Sequence, residues 1–179
     1  MNSNFQFLAH QWEALFNRAS KAEQFAKTDA RTSLIYARMA LEVAINWMYA
    51  NDDELETPFD SGLHNLMVQE DFKQQFNIKL YNELHLIRKT GNLATHNKPV
   101  SDIDALTTIE HLYYFTKWFA KSYTETDLGT LGLFDFNVIP SDDVTVLAKK
   151  QVTSLQKKLD KDLATFQKAL EASNEEKET

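Results

Sequence analysis

The chain has 179 residues, a formal net charge of −7, 43% apolar side chains and no cysteine, enough length for one domain of ordinary size plus an extension. The missing cysteine excludes a disulfide framework, a thiolate nucleophile and a thiolate metal site. Acidic residues outnumber basic ones both in residues 1–140 and in residues 141–179, the wrong balance for a free-standing nucleic-acid binder.

The amino-terminal Met1-Asn2-Ser3-Asn4-Phe5 lacks the basic-then-apolar pattern of a secretory leader, and no run approaches the roughly 18 apolar residues of a membrane span. A cytoplasmic protein with no membrane contact is therefore expected. Leu8, Trp12, Leu15, Phe16, Ala19, Ala22 and Phe25 recur at three and four, which predicts a first helix from Phe5 to about Lys27. Thr28 or Asp29 then caps a second helix from Ala30 to about Tyr49, whose apolar face is Leu34, Ala37, Leu41, Ile45 and Met48. Its middle is rich in alanine and permits close helix approach, and Arg38 and Glu42 form an i, i+4 pair there.

Residues 51–60 are acidic, contain Pro58 and read as a loop. A short helix carries Leu63, Leu66 and Met67, and Phe72 and Phe76 lead into a long helix over about 77–95. Pro99 ends that segment, and Ser101 or Asp102 caps a helix over 103–123 that buries Leu106, Ile109, Leu112, Tyr113, Thr116 and Phe119. The glycines 129 and 132 punctuate an apolar stretch, 124–140, which predicts an extended arm packed on the bundle, with room for a short strand.

From Ser141 the chain is free of glycine and proline to its end. Val152, Leu155, Leu159, Leu163, Phe166 and Leu170 form one narrow stripe on a connector helix of about 30 residues, ~45 Å long. Such a stripe suits docking along a partner or a homodimer through this helix. The charged residues 173–179 are expected to fray, and the pattern suggests a helix cut from a longer protein. The expected fold is thus an all-α helical bundle over 1–123, an apolar arm over 124–140 and a long amphipathic helix over 141–179.

The histidines 10, 64, 85, 96 and 111 show no metal-ligand spacing, and the chain has no phosphate-cradling glycine loop, nucleophile elbow or dinucleotide fingerprint. No metal and no cofactor are expected within it. The aromatic residues Trp47, Tyr49, Tyr113, Tyr114, Trp118 and Tyr123 are possible stacking platforms, but their helical spacing favours core packing.

The chemistry-bearing candidates cluster in Leu84-His85-Leu86-Ile87-Arg88-Lys89-Thr90-Gly91-Asn92-Leu93-Ala94-Thr95-His96. On a helix Arg88, Asn92 and His96 fall at i, i+4 and i+8, one stripe, with His85 three residues before Arg88. An arginine that neutralises a phosphoryl oxygen beside a proton-transferring histidine fits metal-free RNA cleavage or plain phosphate contact. The same residues equally fit a hydrogen-bonded layer between helices, with Glu42, Glu83 or Glu110 as partners. Gly91 either admits a close backbone approach or marks a helix break capped by Asn92.

Ala37-Arg38-Met39-Ala40-Leu41-Glu42 followed by Ile87-Arg88, Gly91-Asn92 and His96 resembles the DUF4145 domain, related to the HEPN superfamily, over roughly residues 1–123. That domain stands at the amino terminus of type I restriction endonuclease R subunits and related DEAD/DEAH-box helicase-nucleases. The arm and long helix resemble the region before the nuclease domain of such subunits. The resemblance implies a non-catalytic accessory domain of a larger hydrolase that binds DNA and ATP, with Mg, and translocates and cleaves DNA together with methylase and specificity subunits. It also supplies an alternative, a stand-alone HEPN-like ribonuclease or toxin using Arg88 and His96. Ribonuclease members separate the two residues by four to six positions, whereas seven lie between them here, which favours a structural or recognition role.

Overall fold

The computed structural model describes residues 2–141 and the isolated positions Lys158, Lys161 and Thr165. The chain divides into two compact units, 1–140 and 141–179. Among the described residues the architecture is all-helical: α1 (Glu13–Phe25), α2 (Ala30–Asn51), α3 (Leu63–Met67), α4 (Glu70–Gln74), α5 (Ile78–Thr95) and α6 (Asp102–Tyr123), with 3-10 turns at Gln6–Leu8 and Phe136–Val138. None of these helices is long and apolar enough to cross a membrane.

In the first unit α2 is the central helix and packs against α1, α5 and α6. Ala37, Ala40 and Ala44 are buried on it, and these small side chains let the neighbouring helices come close. The Asp29 side chain accepts the Thr32 N–H at 3.0 Å and starts α2. One turn on, the buried Ser33 hydroxyl donates to the Ala22 carbonyl at 2.8 Å and ties α2 to α1. Asn77 caps α5, and Ser101 with Asp104 forms a reciprocal capping box at the start of α6.

The first helix is shorter than its periodicity predicts. Phe5, Leu8, Trp12 and Leu15 are all buried, but the chain breaks around Trp12 and residues 6–8 form a separate 3-10 turn. The reason lies in Asn4, which donates from its backbone N–H and its side chain to the buried Glu23 carboxylate at 3.1 and 2.7 Å. A continuous helix would hold residues 4 and 23 about 28 Å apart, so the amino terminus must fold back along α1. Phe72 belongs to a separate turn, α4, and not to the approach of the long helix. On α6, Ala105, Thr108 and Phe115 are fully buried while Leu106 is only half-buried, a small rotation of the expected face.

The arm over 124–140 contains no strand; its ordered element is the 3-10 turn. Phe134 and Ile139 are buried in the same core as the helices. Asn4 and Asp135 exchange two hydrogen bonds, of 2.9 and 2.8 Å, and Lys27 Nζ donates to the Phe136 carbonyl at 2.9 Å. The Tyr113 hydroxyl and Lys117 Nζ both donate to the Gly132 carbonyl. The aromatic candidates serve packing: Trp47 stands edge-on to Trp12, Phe119 and Tyr123, Trp118 packs against Phe76, and Tyr114 packs against Tyr113.

In the second unit Lys158, Lys161 and Thr165 are helical and exposed, and the Thr165 hydroxyl donates to the Lys161 carbonyl at 2.9 Å. The stripe residues Val152, Leu155, Leu159, Leu163, Phe166 and Leu170 lie outside the described residues.

Candidate functional site

The two motif segments, far apart in sequence, meet where α2 crosses α5. Gly91 is buried and sits within a continuous helix that runs on to Thr95, so it marks an approach and not a break. A Cβ at Gly91 would collide with the Arg38 Cβ and lie 2.9 Å from its Cδ and 3.0 Å from its Cγ. The aliphatic stem of Arg38 therefore occupies the space that only glycine leaves open. The Arg38 head turns to Glu42 on the next turn of α2, 3.7 Å away, while its Nε is buried without a hydrogen-bond partner.

Beside this crossing, Thr90 points into the α5–α6 interface. Its hydroxyl lies 3.1 Å from that of Thr108 and also reaches the Leu86 carbonyl at 2.9 Å. This buried polar pair is not legible in the sequence, because two threonines 18 residues apart carry no local signal.

The carboxyl end of α5 is closed by backbone geometry. Asn97 adopts φ 56°, its N–H donates to the Ala94 carbonyl at 3.3 Å, and the Lys98 N–H donates to the Leu93 carbonyl at 2.9 Å. This is the paired bonding of a left-handed helix stop, for which asparagine is the best residue after glycine. Arg31 of α2 completes it, donating to the Ala94 carbonyl at 2.6 Å and to the Lys98 carbonyl at 2.9 Å. Asn97 followed by Pro99 was a readable stop signal; Arg31 was not, since its target lies more than 60 residues away.

His96 is the residue at which the helix ends, not a member of its last turn, and it is exposed. Asn92 is half-buried and accepts the His96 N–H through its backbone carbonyl at 2.9 Å. Among the described residues the side chains of Arg88, Asn92 and His96 make no hydrogen bond to one another or to any other group, so the hydrogen-bonded layer expected between helices is not formed. Of its expected partners, Glu83 faces His111 of α6 at 3.5 Å and Lys79 at 3.9 Å, and Glu42 faces Arg38.

His85 and Arg88 sit in different company. Half-buried Arg88 has its Nε enclosed without a partner and, among the described residues, no carboxylate within ion-pair distance. His85 packs edge-on against Tyr81, with ring centroids 4.7 Å apart, and lies 6.5 Å from the ring of His64 on α3. Burial first, then the charges of Arg88, His64 and Lys89, push the His85 imidazole below its ordinary pKa. Hydroxyls fix α3 in place: Tyr49 donates to the Leu66 carbonyl at 2.7 Å and Tyr81 to the Met67 carbonyl at 3.0 Å. His64 was not singled out in the sequence because it stands on a separate five-residue helix.

Among the described residues no group of three or more His, Cys, Asp or Glu side chains converges as a metal site. No family model, no curated protein and no solved structure matches this chain.

Proposed function

We propose that this chain is a non-catalytic accessory and interaction domain at the amino terminus of a type I restriction enzyme R subunit. The observation that carries the reading is the contact of its two motif segments. Arg38 lies on Gly91, and Ala40, Leu41 and Ile87 are buried in one core, so the residues behind the resemblance act together as a packing device. On this reading, ATP, Mg and DNA belong to other parts of the full-length protein, which would assemble with methylase and specificity subunits.

The arrangement of Arg88 and His96 favours this over the ribonuclease reading. Eight residues of helix set their Cα atoms about 12 Å apart along the axis. Among the described residues they share no hydrogen bond, and no carboxylate pairs with the His96 ring. General acid–base catalysis works best with a histidine held within hydrogen-bond reach of the reacting group, commonly by a second partner that orients it.

The experiment uses the full reading frame that encodes this chain, co-expressed with the methylase and specificity subunits of its own system. Co-purification of all three and a DNA-stimulated, Mg-dependent ATPase are the expected results. A full-length product that recruits neither subunit and hydrolyses no ATP overturns the reading. Metal-independent RNA cleavage by residues 1–179, lost in Arg88→Ala and His96→Ala variants that stay folded, would replace it with the ribonuclease alternative.

A further inference from the structure

We propose that His64, His85, Arg88 and Lys89 form a binding site for a phosphoryl oxyanion at the corner between α3 and α5. His85, Arg88 and Lys89 stand at i, i+3 and i+4 on α5 and share one face, and His64 reaches the same place from α3, 6.5 Å from His85 ring to ring. In a chain of net charge −7, this corner gathers one arginine, one lysine and two histidines. The carboxylates nearby in sequence or packing are engaged elsewhere. Glu42 pairs with Arg38, and Glu83 faces Lys79 and His111. Asp60 accepts the Gly62 N–H and bonds to the Asn65 side chain. Among the described residues the charged groups that act on His85 are the basic Arg88, His64 and Lys89, and Tyr81 covers one side of its ring.

Two cationic side chains and two imidazoles, with no carboxylate in ion-pair contact among the described residues, leave hydrogen-bond donors unused at the surface. Arg88 adds a guanidinium that makes no hydrogen bond or ion pair among the described residues, so its terminal nitrogens are left to meet an anion. His64 and Lys89 are exposed and the corner is open, which suits one phosphate of an extended polyanion. A free inorganic phosphate offers the same chemistry. Binding either one compensates the cations around His85 and raises its affinity for a proton. Affinity should therefore increase as the pH falls through the ordinary histidine range toward the lowered value of free His85, by up to about tenfold per pH unit for each proton taken up.

The site is independent of the accessory-domain reading: its failure leaves subunit assembly untouched, and loss of assembly leaves the anion site to be measured. The test uses the 179-residue chain, with histidine resonances followed by NMR from pH 5 to 8. The probes are inorganic sulfate and a 12-nucleotide single-stranded DNA, whose charges stay constant over that range. The expected result is saturable binding that raises the midpoints of His64 and His85 together while those of His10 and His111 hold still. Tighter binding of the oligonucleotide than of sulfate at equal ionic strength identifies a polymer phosphate, and equal binding a free anion. Arg88→Gln should weaken binding about tenfold or more. The exposed changes His64→Gln and Lys89→Gln, which leave the core untouched, should each weaken it as well. Unmoved midpoints with both probes, or binding that survives all three variants unchanged, overturn the site.

Discussion

Replacing Gly91 with alanine sets two effects of opposite sign against each other. In a helix interior alanine is favoured over glycine by about 1 kcal/mol, so an ordinary helical glycine would gain from the change. At this position the new methyl meets the Arg38 Cβ and lies 2.9 Å from its Cδ and 3.0 Å from its Cγ, where carbon pairs prefer about 3.5–4.0 Å. The outer carbons of Arg38 can swing aside, but its Cβ is fixed to the α2 backbone, so α2 and α5 must part by about 1 Å. The contacts that loosen involve fully buried side chains on both helices, Leu41 and Ile45 on one and Leu84 and Ile87 on the other. Overpacking of this kind costs about 1–3 kcal/mol, and because the fixed Cβ–Cβ collision puts this site at the upper end, a net loss of up to about 2 kcal/mol remains after the helix term. Urea unfolding of the 179-residue chain, followed by circular dichroism, measures it directly. Arg38→Ala keeps the colliding Cβ and should leave most of the Gly91→Ala penalty in place, whereas Arg38→Gly should remove it. A Gly91→Ala protein as stable as the parent, or more stable, would refute the close approach.

Arg31→Ala strips two charge-assisted bonds from the end of α5; a loss of about 1–2 kcal/mol is expected, together with faster hydrogen exchange at Asn97 and Lys98, and an unchanged exchange pattern would count against it. Asn97→Gly should be neutral or slightly stabilising at φ 56°, while Asn97→Val should cost about 1–2 kcal/mol in the same unfolding assay. His85 has a lowered pKa in the fold, so the unfolded chain binds the proton more readily. Its contribution to stability is therefore complete above pH 6.5 and declines as the pH falls from there through the folded value. Relative to a His85→Gln variant, the parent should lose stability between pH 7 and pH 5; parallel curves would refute the sign.

The helix boundaries that were legible in the sequence are those fixed by local chemistry. Asp29 bonds Thr32 three residues on, and Ser101 bonds Asp104; both caps depend on neighbours that a reader of the sequence can see. The break at Trp12 was not legible. Phe5, Leu8, Trp12 and Leu15 are spaced for one helix, and burial at those spacings is satisfied equally by a 3-10 turn that folds back onto the core. The deciding contact, Asn4 to Glu23, spans 19 residues. Gly91 shows the same limit: the sequence allowed an approach or a break, and only the position of Arg38 on another helix separates them. Periodicity places Arg88 and Asn92 on α5, which stops before His96, but it says nothing of which neighbour each side chain meets.

Those neighbours shift the weight of the polar segment toward its amino-terminal half. His96 stands at the end of α5, exposed, with its backbone N–H used in closing the helix. Among the described residues no side chain hydrogen-bonds to a histidine so placed, whereas a second partner is what orients an imidazole for acid or base work. His85 has both a tyrosine wall and cationic neighbours, and it is three residues from Arg88 instead of eight. Its lowered proton affinity leaves it neutral near pH 7, able to donate one hydrogen bond to an oxyanion and to gain a second proton when that oxyanion arrives. Arg88 joins the two possibilities, since it belongs both to the motif that ends at His96 and to the face that begins at His85. Its unpaired Nε and its proximity to His85 assign it to the second. A phosphoryl group held there would be bound by four donors from two helices fixed to each other by the hydroxyl of Tyr81, an arrangement suited to holding an anion and lacking a placed base to attack it.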